Sequence, residues 1–142
     1  VVYVKKRLLT TTLALAVLLT SVLFAYSAFA DDVMWSFDKG TSTLYITGEG
    51  DMDNYADETS MPWYAYQLQI KNIVISDGIT SVGDYAFSGA KNLISVDIPK
   101  SVKSVGKCSF SSCSSLTELE LGGNVTSIGD TSFAFDGVDK KS

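Results

Sequence analysis

Between Ile70 and Phe133 the apolar residues follow two rhythms at once. On the short scale they alternate with polar residues. In "LISVDI" and "LTELEL" the pattern places Leu93, Val96 and Ile98, and then Leu116, Leu119 and Leu121, inside, and turns Ser95, Asp97, Glu118 and Glu120 outward. That is the period of a strand with one buried face. On the long scale whole columns recur every 23 residues: Ile79, Val102 and Val125; Val82, Val105 and Ile128; Gly83, Gly106 and Gly129; Phe87, Phe110 and Phe133. A fixed period of this length marks a repeat solenoid, because a single repeat cannot bury its apolar face and gains that burial from its neighbours. The strands are then stacked parallel in a ladder, with the three phenylalanines as an aromatic spine inside it.

Each coil divides into a strand, a turn at Pro99 and Lys100 or at Gly122 and Gly123, an extended limb such as "VKSVG", and a return. A short helical turn is expected around "YAFSGA", and the glycine column is expected to permit a tight change of direction there. The fold class is a mainly β solenoid with short helical turns. Its bounds are a half coil over 70–78, full coils over 79–101 and 102–124, and a partial coil over 125–142. Ile70, Ile73 and Ile75 continue the columns of Leu93, Val96 and Ile98, so the ladder has at least three rungs. Asp139 stands in the column of Leu93 and Leu116, so a further rung is not expected. Upstream the period fails, and residues 31–69 read as a β-rich N-terminal cap. In it "TLYITGEGDMDNY" is a strand running into a turn and "MPWYAY" an aromatic plug. Trp35, Trp63, Tyr64 and Tyr66 could instead form a sugar-stacking platform, but they sit where a solenoid needs its core sealed.

Residues 1–30 stand apart. Lys5, Lys6 and Arg7 precede an uncharged run ending in "SAFA", with small Ala28 and Ala30 set for cleavage after Ala30. This is the layout of a secretory signal peptide. The alternative is an uncleaved membrane anchor, for which the run is long enough. Removing the leader leaves eight basic against sixteen acidic residues, a balance that excludes nucleic-acid and anionic-membrane partners. Export makes a disulfide chemically possible. Yet Cys113 shares the column of Ala90 and Cys108 that of Tyr85 and Thr131, so the two thiols should point to different sides.

Catalytic readings fail on residue types. The chain has no histidine, which removes a Ser-His-Asp or Cys-His arrangement and the commonest zinc ligand. The serines of "SFSSCSSL" read as a polar turn between coils. Asp51, Asp53, Asp57 and Glu58 could in principle act as a carboxylate pair, but they lie in a Gly/Asn-rich turn with no apolar pocket to raise one pKa. The same "DMDN" run fails as a calcium loop, with Tyr55 and Ala56 where a ligand and a glycine are required. No enzyme activity, cofactor or metal site is expected.

"VTSIGDTSF", "ITSVGDYAFSGAKNLISVDIPKSV" and "SFSSCSSLTELEL" resemble the repeat of BspA-like leucine-rich repeat surface proteins, over about Ile70 to Phe135. "WSFDKGTSTLYITGEGDM" with the following "MPWYAYQLQIKNIVISDG" is similar to the segment that often precedes such arrays in secreted proteins of gut Firmicutes. The resemblance implies a leucine-rich-repeat-like ladder in a bacterial, secreted or surface-displayed protein that binds a protein or a host extracellular macromolecule, with no catalysis of its own. The alternative is a structural or capping fragment of a larger repeat protein, with no ligand. On the binding reading the candidate face is Ser95, Asp97, Glu118 and Glu120. No membrane association is expected once the leader is cleaved.

Overall fold

In a computed structural model of the protein, residues 32–134 are described, together with the backbone of a short strand, Val2–Lys5 (β1). The apolar run of the leader, including Ala28 and Ala30, lies outside the described residues. β1 pairs antiparallel with Met34–Asp38 (β2), which pairs antiparallel with Thr43–Thr47 (β3). From β3 onward every pairing is parallel. Asn72–Ile75 (β5), Ser95–Ile98 (β7) and Glu118–Leu121 (β9) complete a six-stranded sheet in the order β1-β2-β3-β5-β7-β9. A second, narrower parallel sheet runs through Gly50–Asp51 (β4), Ile79–Val82 (β6), Ser104–Val105 (β8) and Ser127–Ile128 (β10).

The sequence period becomes the pairing register. Ser95 lies opposite Asn72 and Glu118, and Ser104 opposite Ser81 and Ser127, each a step of 23 residues. In this register identical columns sit one above another, so Val96 meets Ile73 on one side and Leu119 on the other. Apolar side chains from both ladders share one core, in which Ile73, Ile98, Leu93, Val105 and Leu116 are buried. The phenylalanine spine forms as expected. Phe87 and Phe110 lie 5.2 Å apart, and Phe110 and Phe133 are stacked at 5.3 Å.

The ladder also reaches further toward the N-terminus than the period indicates. Thr43 and Leu44 pair with Asn72 and Ile73, and Gly50 pairs with Ile79, a step of 29 rather than 23. The cap segment therefore contains a coil of the same kind with extra residues. Trp63 takes the spine position in it, stacked on Phe87 at 5.7 Å and donating its indole N–H to the Ala86 carbonyl at 2.9 Å. A 3-10 helix, Tyr64–Gln69, leads on to β5. Trp35 packs edge-on against Trp63, and Tyr66 stacks on Phe37 at 4.9 Å. The aromatic plug is thus packed, except for Tyr64, which points to solvent at 48 % exposure.

Several local expectations are corrected. The return segment is a succession of i→i+3 turns and not a continuous helix. Ala86, Ser88 and Ala90 donate within the turn to Gly83, Tyr85 and Phe87, while Tyr85, Phe87 and Gly89 donate to Lys107, Ser109 and Ser111 of the next coil. A helix would satisfy its donors internally; here alternate N–H groups hold neighbouring coils together, as solenoid stacking requires. The sharp change of direction falls at Tyr85, Cys108 and Thr131, with φ of 56°, 52° and 54°. The glycine column serves close approach instead. A Cβ on Gly83 would overlap the Asp53 carbonyl oxygen, and on Gly106 or Gly129 it would come within 2.5 Å of the backbone nitrogen of Asp84 or Lys107. At the last coil the inward pattern loosens: Leu119 and Phe133 are only half-buried, and Leu121 is exposed. Among the described residues no rung lies beyond β9 to cover them.

Candidate functional site

The outward positions of the long sheet form two rows, each set by register alone. One runs Thr43, Asn72, Ser95, Glu118; the other runs Tyr45, Val74, Asp97, Glu120. Adjacent parallel strands lie about 4.8 Å apart, so each row is a continuous stripe of side chains across the coils. All four residues of the expected face stand on this one surface, with differing accessibility. Ser95 is half-buried and donates its hydroxyl to Oδ1 of Asn72 at 2.8 Å, tying one rung to the next. Asp97, Glu118 and Glu120 are exposed.

Asp97 lies directly opposite Glu120, with Glu118 two residues before it on the same strand. Three carboxylates so placed repel one another by a few tenths of a kcal/mol to about 1 kcal/mol per neighbouring pair. They make the C-terminal half of the face strongly acidic, whereas Val74 and half-buried Tyr45 make the other half apolar and aromatic. Asn72, Val74, Ser95, Asp97, Thr117, Glu118 and Glu120 line an open hollow of about 620 Å³ on this face. Tyr45 was missed by the sequence reading because the 29-residue step hides its column; the alternation of "TLYIT", the same as in "SVDI", was the available signal.

Of the other carboxylates considered for chemistry, Asp51 and Asp57 are committed elsewhere. Thr80 donates its hydroxyl to Asp51 at 2.6 Å, and this bond, with help from Ser81, lowers the Asp51 pKa below the ordinary carboxylate value. Asp57 accepts from the backbone N–H and hydroxyl of Thr59 and from the hydroxyl of Ser60, at 2.7 to 2.8 Å, and its pKa is lowered by the Thr59 hydroxyl first of all. A general acid needs the opposite shift. Among the described residues no group of acidic residues or cysteines is placed to hold a metal ion, and no helix is long and apolar enough to cross a membrane. Cys113 is buried and donates to the Phe87 carbonyl at 3.3 Å, while the Cys108 sulfur lies 2.9 Å from the Thr131 hydroxyl; no disulfide joins them.

A ladder of short parallel strands with a 23-residue step, an aromatic spine and coil-to-coil hydrogen bonds defines a leucine-rich repeat solenoid. The chain belongs to the family described as the BspA type leucine rich repeat region (6 copies), whose pattern matches residues 59–139, more than half of the chain. The fold is similar to the crystal structure of a leucine-rich repeat protein from Eubacterium ventriosum ATCC 27560, with a TM-score of 0.62 and 23 % identity over 75 % of this chain. The match covers 34 % of that protein, so this chain spans about a third of its length. No curated protein matches the chain significantly.

Proposed function

We propose that the protein is an exported bacterial binding protein of the adhesion type, without catalytic activity, that meets a protein or a host-surface macromolecule across the outward face of its long sheet. The observation that carries this reading is the alignment of Tyr45, Val74, Asp97 and Glu120 in one stripe across four rungs. An extended stripe on a stiff scaffold offers a partner several contacts at little backbone ordering cost, which suits recognition of large surfaces. The acidic half directs the choice toward a basic partner surface, with association that weakens as salt rises. A signal peptide over residues 1–30 would carry the chain out of the cell. Membrane contact after cleavage and nucleic-acid binding do not fit the negative charge of the remainder.

The test is binding of the purified chain to intact epithelial cells at low and moderate salt, alongside the Asp97→Asn, Glu120→Gln double variant. Salt-sensitive binding that falls about tenfold in the double variant supports the face. Equal binding by both proteins removes it. A second reading, a structural piece of a larger repeat protein with no ligand of its own, is favoured by the exposure of Leu121; no cell binding at any salt would support it.

A further inference from the structure

The two outward rows of the long sheet are not equally engaged by the fold. In the first, the Thr41 hydroxyl donates to that of Thr43 at 3.0 Å, the Asn72 amide to the Thr41 carbonyl at 3.4 Å, and Ser95 to Asn72 at 2.8 Å. Several loop carboxylates are held in the same way: Asp38 accepts from Gly40 and Thr41, and Asp84 from the backbone N–H of Lys107. The second row differs. Among the described residues no hydrogen bond or ion pair engages the side chains of Tyr45, Asp97 or Glu120, nor that of Glu118 beside them. Val74, between Tyr45 and Asp97, is 39 % exposed. Neither row contains a basic residue. The hollow that Val74, Asp97 and Glu120 line is centred on β7, inside the ladder, with β5 on one side and β9 on the other.

Charge narrows what can occupy this row. A second copy docking through the same face would set carboxylate against carboxylate, which is destabilising. A phosphate-rich surface is repelled for the same reason. Among the described residues no acidic group is placed to hold a metal ion. A cationic side chain fits the acidic half, and an apolar one fits Tyr45 and Val74. Register sets their separation. Tyr45 and Glu120 are three rungs apart, about 14.4 Å at about 4.8 Å per rung, whereas same-side residues of an extended chain repeat about every 6.8 Å. A chain crossing the rungs with one residue on Tyr45 therefore sets the residue two positions away between Val74 and Asp97, and the residue four positions away on Glu120. Odd positions face away from the sheet. We infer that the row takes one extended segment of a partner protein, laid across the rungs, with an apolar side chain on Tyr45 and Val74 and an arginine or lysine four positions away beside Asp97 and Glu120. This rests on the face reading above and names the chemistry of its partner.

The experiment titrates the full chain with short synthetic peptides of serine and threonine that carry one leucine and one arginine, four positions apart in the first and three in the second. In a third peptide serine replaces the leucine. In a fourth, glutamate replaces the arginine four positions from the leucine. The first peptide should bind about tenfold tighter than each of the others, and added salt should weaken it. Tyr45→Ser with Val74→Ser should bring the first and third peptides within about twofold. Asp97→Lys with Glu120→Lys should invert the preference toward the fourth peptide, a gain that misfolding does not produce. Equal binding of the first and second peptides, equal binding of the first and third, no inversion, or no binding of any peptide would overturn the inference. If the Asp97→Asn, Glu120→Gln variant still loses cell binding in that event, the face reading stands without this partner; if cell binding is unchanged, both fall.

Discussion

Replacing Trp63 by alanine removes the side chain that joins the N-terminal coil to the repeats. The indole is 2 % exposed, stacks on Phe87 at 5.7 Å, meets Trp35 and Tyr55 edge-on at 6.0 and 5.6 Å, and satisfies the Ala86 carbonyl. Deleting a buried tryptophan costs about 3–5 kcal/mol through lost transfer energy and the cavity left behind. Stranding a buried carbonyl adds about 1–3 kcal/mol unless water reaches it. The expected loss is therefore about 4 kcal/mol or more, a large share of a stability of about 5–15 kcal/mol. Trp63→Phe keeps a ring on Phe87 but strands the same carbonyl, so it should cost about 1–3 kcal/mol, less than Trp63→Ala. Urea unfolding followed by circular dichroism, with Trp35 fluorescence as a second probe, measures both. A Trp63→Ala protein within about 1 kcal/mol of the parent, or a Trp63→Phe protein as unstable as it, would refute the idea that this ring seals the core.

Gly83→Ala should destabilise by about 2 kcal/mol or more, because the added methyl overlaps the Asp53 carbonyl, while Gly123→Ala, with nothing within 4 Å, should lie within about 0.5 kcal/mol of the parent by the same urea assay. Asp97→Asn and Glu120→Gln should each raise stability by a few tenths of a kcal/mol to about 1 kcal/mol at low salt, with the gain shrinking as salt is added. The Asp51 pKa is depressed in the fold, so its contribution is complete above the unfolded value of about 3.9 and is lost as pH falls through the lower folded value. Asp51→Asn should flatten the stability–pH curve below about pH 5, measured as the urea midpoint at successive pH values. Iodoacetamide should modify half-exposed Cys108 in the native protein and buried Cys113 only on unfolding, as peptide mass mapping would show.

What the sequence made legible was whatever repeats. The columns of Phe87, Val82 and Ile98 specified the spine, the parallel register and the outward side of each rung, because a 23-residue step allows only one stacking of like on like. The first coil was harder to see, since extra residues shift it to a 29-residue step and a tryptophan replaces phenylalanine in the spine. Gly83 was assigned the wrong task for a physical reason. A turn and a close backbone approach both demand glycine, and only the structure shows the neighbouring coil against it, with the left-handed residue two positions later at Tyr85. Leu121 follows the inward pattern yet is exposed, because its burial depends on a neighbour that the pattern alone does not supply. The face was legible as positions, but its apolar half at Tyr45 was not.

Which side of the solenoid meets a partner is decided most directly by two matched sets of substitutions compared for binding to epithelial cells. One set changes Val74, Asp97 and Glu120 on the long sheet; the other changes Thr80, Lys103 and Thr126, a column beside the narrow sheet in which Lys103 and Thr126 donate their backbone N–H groups to the carbonyls of Thr80 and Lys103. The first set should lower binding about tenfold or more and the second leave it within about twofold, with both proteins folded by circular dichroism. Equal losses, or a loss confined to the second set, would contradict a binding role for the long sheet.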